Sequence, residues 1–359
     1  MGQLDLRHRL ALELNRKVQR DVIREHPLRQ LFWECTLRCN LHCRHCGSDC
    51  KATASAKDMP LEDFLPVLRS VKAAGLDSHK IMIVVTGGEP LMRPDLERCG
   101  RAFYDLEFAW GMVTNGYALT EKRLQGLLDA GLGSMTISLD GLETEHEWLR
   151  GVPGCFARAE KAIRLAAGTP GLVFDVVTCV NRKNFDQLDA IKERLLSCGV
   201  KAWRLFTIFP VGRAAEDPDL QLSREQFRGL LEFIKATRRE GRIRASYGCE
   251  GFLGNYEGEV RDHFFFCQAG VSVGGVLSDG SISACTSIRS DYHQGNIYED
   301  DFMEVWNSRF QPYRDRSWMK KDACADCKYW RYCRGGGMHL RGEDGKLLFC
   351  HLDRLSSSR

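Results

Sequence analysis

Short apolar runs alternate with amphipathic segments from about residue 31 to residue 234. The apolar runs are rich in β-branched and aromatic residues, which favour strands, and lie at 31–37, 80–86, 110–114, 134–139, 172–177 and 203–209. The segments between them, such as 61–75 and 121–131, repeat apolar residues at three- and four-residue spacing and close on a glycine, which is typical of helices. The alternation predicts six βα units and a parallel sheet.

A helix over 223–241, with Ser223 as its N-cap, is predicted to end this repeat. The composition and periodicity of the sequence then change. Residues 245–350 are rich in glycine, cysteine and aromatic residues and show few long helical patterns. We therefore predict four parts of the chain. They are an N-terminal helical segment at 1–28, an α/β unit at 29–242, a cysteine-rich unit at 243–351 and a tail at 352–359.

Composition and charge exclude several classes of protein. A chain of 359 residues with 43% hydrophobic content can bury a large core, and 51 basic against 48 acidic residues do not form the footprint of a nucleic-acid binder. The first twenty residues are charged throughout, which argues against a signal peptide or a membrane span. We expect a cytoplasmic protein. Sixteen cysteines in a reducing compartment favour metal ligation or catalysis over disulfides.

The first cysteine cluster, CTLRCNLHCRHCGSDC at 35–50, follows the first predicted strand. A C-x3-C-x2-C spacing fits only one set of its five cysteines, which is Cys39, Cys43 and Cys46. Three thiolates on one loop can hold three irons of a cubane cluster and leave the fourth iron without a protein ligand. The alternative is a zinc site, although zinc spacing normally repeats C-x2-C pairs. Cys35 and Cys50 are interpreted as buried thiols.

Further polar motifs stand where successive predicted strands end. They are Gly87-Gly88-Glu89-Pro90, Thr114-Asn115-Gly116, Ser138-Leu139-Asp140-Gly141 and Arg150-Gly151. In a βα barrel the carboxyl ends of the strands form the active-site face, so these motifs are expected to meet the cysteine loop.

The cysteine spacing and these motifs together resemble the radical S-adenosylmethionine (AdoMet) superfamily. The resemblance implies an α/β fold with a partial (β/α)6 TIM-like barrel and an open iron that chelates AdoMet. Reductive cleavage of AdoMet would then produce methionine and a 5'-deoxyadenosyl radical. The implied catalytic residues are the ligands Cys39, Cys43 and Cys46. The implied cofactor-binding residues are His45 near the adenine, Gly87, Gly88 and Glu89 near the methionine amine, Asn115, Ser138, and Arg150 facing a carboxylate.

A second set of cysteines lies in the C-terminal unit. Cys324, Cys327, Cys333 and Cys350 supply four thiolates, enough for a complete 4Fe-4S cluster. This set resembles the SPASM domain, an α+β cysteine-rich module of peptide-modifying radical enzymes. Cys249, Cys267 and Cys285 are assigned to another auxiliary cluster, whose pattern is one cysteine short because position 337 is glycine. Its fourth iron would stay open or take a distant ligand such as Cys179. A zinc-ribbon-like module is the alternative for the four-cysteine set.

The resemblance implies one catalytic and one or two auxiliary 4Fe-4S clusters. It also implies hydrogen abstraction from a peptide or protein side chain, followed by oxidative modification or cross-linking, and the motifs are similar to SPASM proteins paired with small lipoproteins. Expected partners are that substrate and an electron donor such as flavodoxin or ferredoxin, with no nucleic acid and no membrane span. The alternatives are maturation of a tetrapyrrole-type cofactor and a non-enzymatic zinc module.

Overall fold

The computed structural model describes residues 4–54, 57–248 and 251–356. The helices are α1 (Leu6–Glu25), α2 (Leu61–Ala73), α3 (Leu96–Asp105), α4 (Glu121–Asp129), α5 (Glu143–Arg150), α6 (Cys155–Ala167), α7 (Leu188–Ser197), α8 (Arg224–Glu240), α9 (Phe302–Ser308), α10 (Gln311–Arg314), α11 (Trp330–Cys333) and α12 (His351–Leu355). The strands are β1 (Gln30–Glu34), β2 (Met82–Thr86), β3 (Ala109–Thr114), β4 (Leu132–Ser138), β5 (Val173–Val180), β6 (Ala202–Thr207), β7 (Arg244–Tyr247), β8 (Val273–Val276), β9 (Ser281–Ser283) and β10 (Gly295–Asn296).

The strands form one sheet in the order β10-β9-β8-β1-β2-β3-β4-β5-β6-β7. Strands β1 to β7 lie side by side in chain order, and every neighbouring pair among them is parallel. Parallel neighbours need a crossover connection, and helices supply those crossovers between the first six strands. The predicted class is confirmed: the fold is α/β, with a partial barrel and a C-terminal cysteine-rich unit.

A group of aromatic rings anchors the first strands to their helices. Trp33 of β1 stacks on Phe64 of α2 with ring centroids 4.8 Å apart, and Phe103 of α3 meets both rings edge-on. Trp110 of β3 extends the group, and all four side chains are buried. Each such ring stabilises the fold by about 1.5–3 kcal/mol through burial alone. This packing fixes where the loop after β1 leaves the sheet.

The structure differs from the prediction at the ends of the barrel. Strand β1 ends at Glu34, so Cys35 lies just beyond it instead of on it. A seventh parallel strand, β7, was not predicted because it is short and its alternate residues Arg244 and Ser246 are polar; only Ala245 and Tyr247 are buried. Strand β8 pairs in parallel with β1. The sheet therefore runs across the predicted boundary at 242–243, and the two units share it.

The helix predicted at 223–241 with Ser223 as its N-cap is observed as α8, whereas α1 lies in the N-terminal segment that precedes the predicted α/β unit. Helix α8 begins with a capping box between Ser223 and Gln226. Helix α1 contacts the C-terminal unit, since Gln19 donates to the carbonyl of Phe265 at 2.9 Å and Glu13 accepts from the Tyr332 hydroxyl at 2.7 Å. None of the helices in the described ranges combines the length and the apolar character that crossing a bilayer requires.

Candidate active site

The first cysteine loop is held against the strand ends by backbone hydrogen bonds. The amides of Gly88 and Glu89 donate to the carbonyls of Thr36 and Arg38 at 2.7 and 2.9 Å. From the other side, the guanidinium of Arg213 donates to the Cys43 carbonyl at 2.8 Å and to Asp49 at 2.7 Å. The loop is therefore clamped by segments that follow β2 and β6.

Two adjacent glycines allow the close approach on the β2 side. A Cβ at Gly87 would lie 2.1 Å from the Thr36 carbonyl oxygen, and a Cβ at Gly88 would lie 2.2 Å from that of Arg38. The φ of Gly87 is +138°, which side chains rarely adopt. The glycine pair is thus required by the backbone contact itself.

Cys39, Cys43 and Cys46 line one cavity of about 170 Å³, and each sulfur receives an N–H donor. Asn115 Nδ2 lies 3.9 Å from Cys39 Sγ, Arg150 Nη1 lies 3.7 Å from Cys43 Sγ, and the Cys50 amide lies 3.4 Å from Cys46 Sγ. Donors on all three sulfurs suit thiolates that carry charge.

Burial otherwise disfavours free thiolates in this loop. Desolvation raises the pKa of Cys39 to about 12 and also raises the pKa of Cys43, whereas hydrogen bonding with Cys50 lowers the pKa of Cys46. Cys35 and Cys50 are both buried, as predicted. A bound metal would offset this cost for Cys39 and Cys43, because metal binding favours the deprotonated thiol.

Glu89 ties the ends of β2 and β3 together. Its carboxylate accepts from the Leu91 amide at 3.0 Å, the Thr114 hydroxyl at 2.7 Å and the Asn115 amide at 2.7 Å. Burial raises its pKa although these three donors oppose the shift. The side chain therefore shapes the cavity wall, and its role as an acceptor for a bound amine stays a prediction.

Arg150 is paired inside the protein. Its Nε lies 2.6 Å from Asp140 Oδ2, and the other oxygen of that carboxylate accepts from the Cys179 amide at 2.7 Å. Burial works against the charge of Arg150, but Asp140 together with the nearby Cys43 and Cys179 raises the pKa of the guanidinium. A carboxylate of the protein itself, that of Asp140, therefore pairs with Arg150, while Nη1 of Arg150 contacts the Cys43 sulfur. A carboxylate of a bound ligand at Arg150 stays a prediction.

Of the other predicted residues, Ser138 and Asn115 line the 170 Å³ cavity, and His45 stands between it and a larger one. Burial lowers the pKa of His45 to about 4, so this ring is neutral near pH 7. His45 Nδ1 is buried without a hydrogen-bond partner in the described ranges. Cys179 groups with His45 and Asp140, their polar atoms lying within 4.8 Å of one another.

The larger cavity, of about 400 Å³, joins the barrel to the C-terminal unit. His45, Gly87 and Cys179 of the barrel line it together with Cys285 and Arg289 of the C-terminal unit. The two cavities share His45 and Gly87, so the cysteine loop faces the larger space as well.

The four C-terminal cysteines are brought together around a smaller cavity of about 40 Å³ that Cys324, Cys327, Cys333 and Cys350 all line. Burial, together with the neighbouring cysteines, raises the pKa of Cys333 to about 12. Cys285 is half-buried, and desolvation raises its pKa, with a smaller contribution from the nearby Cys267. Cys249 lies outside the described residues.

Two residues of the site were not assigned a role from the sequence. Asp140 belongs to the Ser138-Leu139-Asp140-Gly141 motif. It is fully buried and forms an ion pair with Arg150. Arg213 follows β6 in the Pro210-Val211-Gly212-Arg213 segment. Both residues lie just after a predicted strand, and that position was the sequence feature that could have indicated a place in the site.

Comparison with known proteins agrees with this geometry. A model of the radical SAM superfamily matches residues 33–195, and a model of the SPASM iron-sulfur cluster-binding domain matches residues 267–328. The chain belongs to the radical SAM superfamily and carries a SPASM domain. These domains imply 4Fe-4S clusters, and the protein is an enzyme of this class.

Relatives of this radical SAM/SPASM enzyme differ in their named activities. The AdoMet-dependent heme synthase of Methanosarcina barkeri is 26% identical over 86% of this chain and 90% of its own length. The PqqA peptide cyclase of Rhizobium meliloti is 23% identical over 88% and 85%. Streptococcus suis SuiB bound to the precursor peptide SuiA has a TM-score of 0.69 at 18% identity, covering 89% of this chain and 74% of SuiB. At that identity the structural likeness shows the fold alone.

The residues present fit the cofactor set of the superfamily. Three sulfurs with N–H donors border a cavity that the adjacent Gly87 and Gly88 also line. A cluster with one open iron, when bound with AdoMet, supplies the electron that produces a 5'-deoxyadenosyl radical. The residues around it would hold both groups and limit their contact with water.

Proposed function

We propose that this radical SAM/SPASM enzyme abstracts hydrogen from an uncharged side chain of a peptide or protein and that oxidative modification or cross-linking follows. In this proposal Cys39, Cys43 and Cys46 hold the catalytic cluster, and Cys324, Cys327, Cys333 and Cys350 hold an auxiliary one. Cys267 and Cys285, with Cys249, are assigned to a second auxiliary site. A cytoplasmic location and a flavodoxin- or ferredoxin-like electron donor belong to the same proposal.

The observation that carries the substrate class is the charge of the 400 Å³ cavity. Among its described lining residues Arg289 is the single permanent cation, and Glu34 neutralises it at 2.9 Å. Burial lowers the pKa of both lining histidines, His45 and His339, to about 4, so neither adds charge near pH 7. Apolar walls are supplied by Phe206, Ile208, Phe209 and Val211.

A neutral cavity suits a neutral side chain. A buried anion costs several kcal/mol unless a cation or hydrogen bonds offset it, so a ligand with several carboxylates would need more positive charge than this lining offers. Hydroxyl groups at Thr86, Thr286 and Ser287 can instead hydrogen-bond a peptide backbone. His45 of the catalytic cysteine loop and Cys285 of the second auxiliary site both line this space, which suits electron removal after hydrogen abstraction.

The second candidate is a tetrapyrrole reaction. It is favoured by the named activities of relatives that align over most of the chain, such as the heme synthase and the Fe-coproporphyrin III synthase of Methanosarcina barkeri, the latter 25% identical over 85% of this chain. Tetrapyrrole precursors carry several carboxylates, so this candidate requires that the cavity accept them without further cations.

The test uses the full-length enzyme, reconstituted anaerobically and reduced with dithionite in the presence of AdoMet. One arm contains synthetic peptides with deuterated aliphatic, aromatic and cysteine side chains, and the other contains Fe-coproporphyrin III. Mass spectrometry measures deuterium in 5'-deoxyadenosine and the mass of each substrate. We expect deuterium transfer from a peptide. A mass change in the porphyrin with no transfer from any peptide would replace the proposal with the tetrapyrrole reaction.

A further inference from the structure

A buried arginine without a counter-charge lies at the four-cysteine site. Arg341 is 1% exposed, and no carboxylate of the described chain lies within ion-pair distance of it. Its Nη1 donates to the Gly345 carbonyl at 3.1 Å, and its Nη2 donates to the Gly335 carbonyl at 2.9 Å. Its Nε is buried with no partner in the described ranges. Carbonyls alone satisfy this guanidinium only in part.

The remaining contact of Arg341 is a sulfur. Nη2 lies 3.2 Å from Cys324 Sγ, the shortest N–H···S contact described at either cysteine site. A buried charge without a partner is costly, so the missing anion is expected at that sulfur. Thiolates bound to iron provide such an anion. The positive charge of Arg341 and the negative charge of iron-bound thiolates would therefore compensate each other.

A second buried arginine of the same unit, Arg314, is stabilised by carbonyl groups and aromatic rings. Arg314 donates to the carbonyls of Gly270 at 3.0 Å and Trp306 at 2.6 Å, and its guanidinium lies over the Trp306 and Phe310 rings at 5.1 and 5.7 Å. No sulfur is among its described contacts. Arg314 therefore serves as a matched control for a buried guanidinium that does not reach a cysteine.

We propose that Arg341 supplies the positive charge that raises the reduction potential of the cluster held by Cys324, Cys327, Cys333 and Cys350. Reduction by one electron adds one negative charge to the site, and a cation beside a ligand sulfur favours the more negative state. Arg341 is thus a positioning residue, and its charge makes this cluster a better electron acceptor than it would be without the guanidinium. The inference rests on the proposed cluster at these cysteines and is independent of the substrate.

The experiment compares Arg341→Gln, Arg341→Lys and Arg314→Gln with wild type in the full-length, reconstituted protein. Redox titration followed by electron paramagnetic resonance gives the midpoint potential of the signal that Cys327→Ala removes. We expect a more negative potential in Arg341→Gln, a smaller shift in Arg341→Lys and none in Arg314→Gln. A wild-type potential in Arg341→Gln overturns the inference.

Iron content covers the case in which Arg341→Gln does not assemble this cluster. If positive charge is what the site needs, Arg341→Lys must recover the missing irons. Equal loss of those irons from both variants would overturn the inference, because the charge would then not be the cause. A wild type with no signal sensitive to Cys327→Ala contradicts the proposed cluster itself, which is a distinguishable result.

Discussion

The two cysteine sites of the molecule solve the problem of buried thiolates differently. At the barrel site three cysteines stand within eight residues of one loop and border about 170 Å³ of space. At the C-terminal site four cysteines are gathered from residues 324 to 350 around about 40 Å³. The first site has three cysteines and open space, whereas the second has four cysteines and little free volume.

The charges beside the sulfurs differ in the same way. Two cations of the barrel site, Arg150 and Arg213, are already paired with Asp140 and Asp49, so the loop is surrounded by a nearly neutral set of donors. The cation of the C-terminal site, Arg341, has no carboxylate in the described part of the chain. An open site leaves room for a cofactor at the iron without a protein ligand, and a closed site beside a cation suits the storage of an electron.

The largest expected effect comes from removing a ligand of the open site. Cys39→Ala should abolish 5'-deoxyadenosine formation and lower the iron content by about four per chain, because two thiolates do not retain the cubane cluster. Chromatography of the nucleoside and iron analysis measure both effects. Cys155→Ala, which removes a buried thiol of the same surroundings, is the control and should retain both. Cleavage in Cys39→Ala at the wild-type rate would contradict the ligand assignment.

Removing a ligand of the closed site should separate cleavage from product formation. Cys327→Ala should also lose about four irons while it still produces 5'-deoxyadenosine, because the barrel site is intact. The modified peptide should disappear from its mass spectrum. Cys198→Ala, at the end of α7, is the matched control. If Cys327→Ala stopped cleavage as completely as Cys39→Ala, the two sites would not have separate roles.

Much of this comparison could be predicted from the sequence, since it depends on local spacing. The Cys39, Cys43 and Cys46 register excludes every other start, and strands β2 to β6 follow from apolar runs bounded by helices. The parallel order of those strands follows from the same alternation. These features need only neighbouring residues.

Features that depend on distant contacts could not be predicted. Strand β8 pairs with β1 across more than 240 residues, and β7 is too short and too polar to show a pattern. The absence of a carboxylate beside Arg341 likewise depends on which segments surround it. Arg150 illustrates the same limit, because its internal partner Asp140 lies ten residues earlier, in the loop after β4.

Buried histidines offer a smaller, pH-dependent comparison. Burial lowers the pKa of His146 to about 4, and its Nδ1 accepts from the Asp140 amide at 3.0 Å. The unfolded chain binds a proton near pH 6.5, so the unfolding free energy falls as pH drops from about 6.5 to about 4, by up to about 3 kcal/mol for this residue. Urea unfolding of the apoprotein should show a weaker pH dependence in His146→Gln.

The control for that measurement is His79→Gln, because the His79 side chain is 73% exposed. This variant keeps the buried histidines and therefore measures the effect of a His→Gln change at the surface. His351 of the C-terminal unit, which is also buried and neutral, should behave like His146 when replaced. Equal slopes for His146→Gln and wild type would show that the His146 ring is hydrated in solution.

The smallest expected effect tests the donors themselves. Asn115 Nδ2 lies 3.9 Å from Cys39 Sγ and 2.8 Å from Asn40 Oδ1, so it is a neutral and long contact to sulfur. Asn115→Ala should lower the midpoint potential of the barrel cluster, but by less than Arg341→Gln lowers that of the C-terminal cluster, because a cation at 3.2 Å acts more strongly than a neutral amide at 3.9 Å. Redox titration of the signal lost in Cys39→Ala measures it. A larger shift in Asn115→Ala would mean that geometry around the open iron, and not charge beside the sulfur, sets the difference between the two sites.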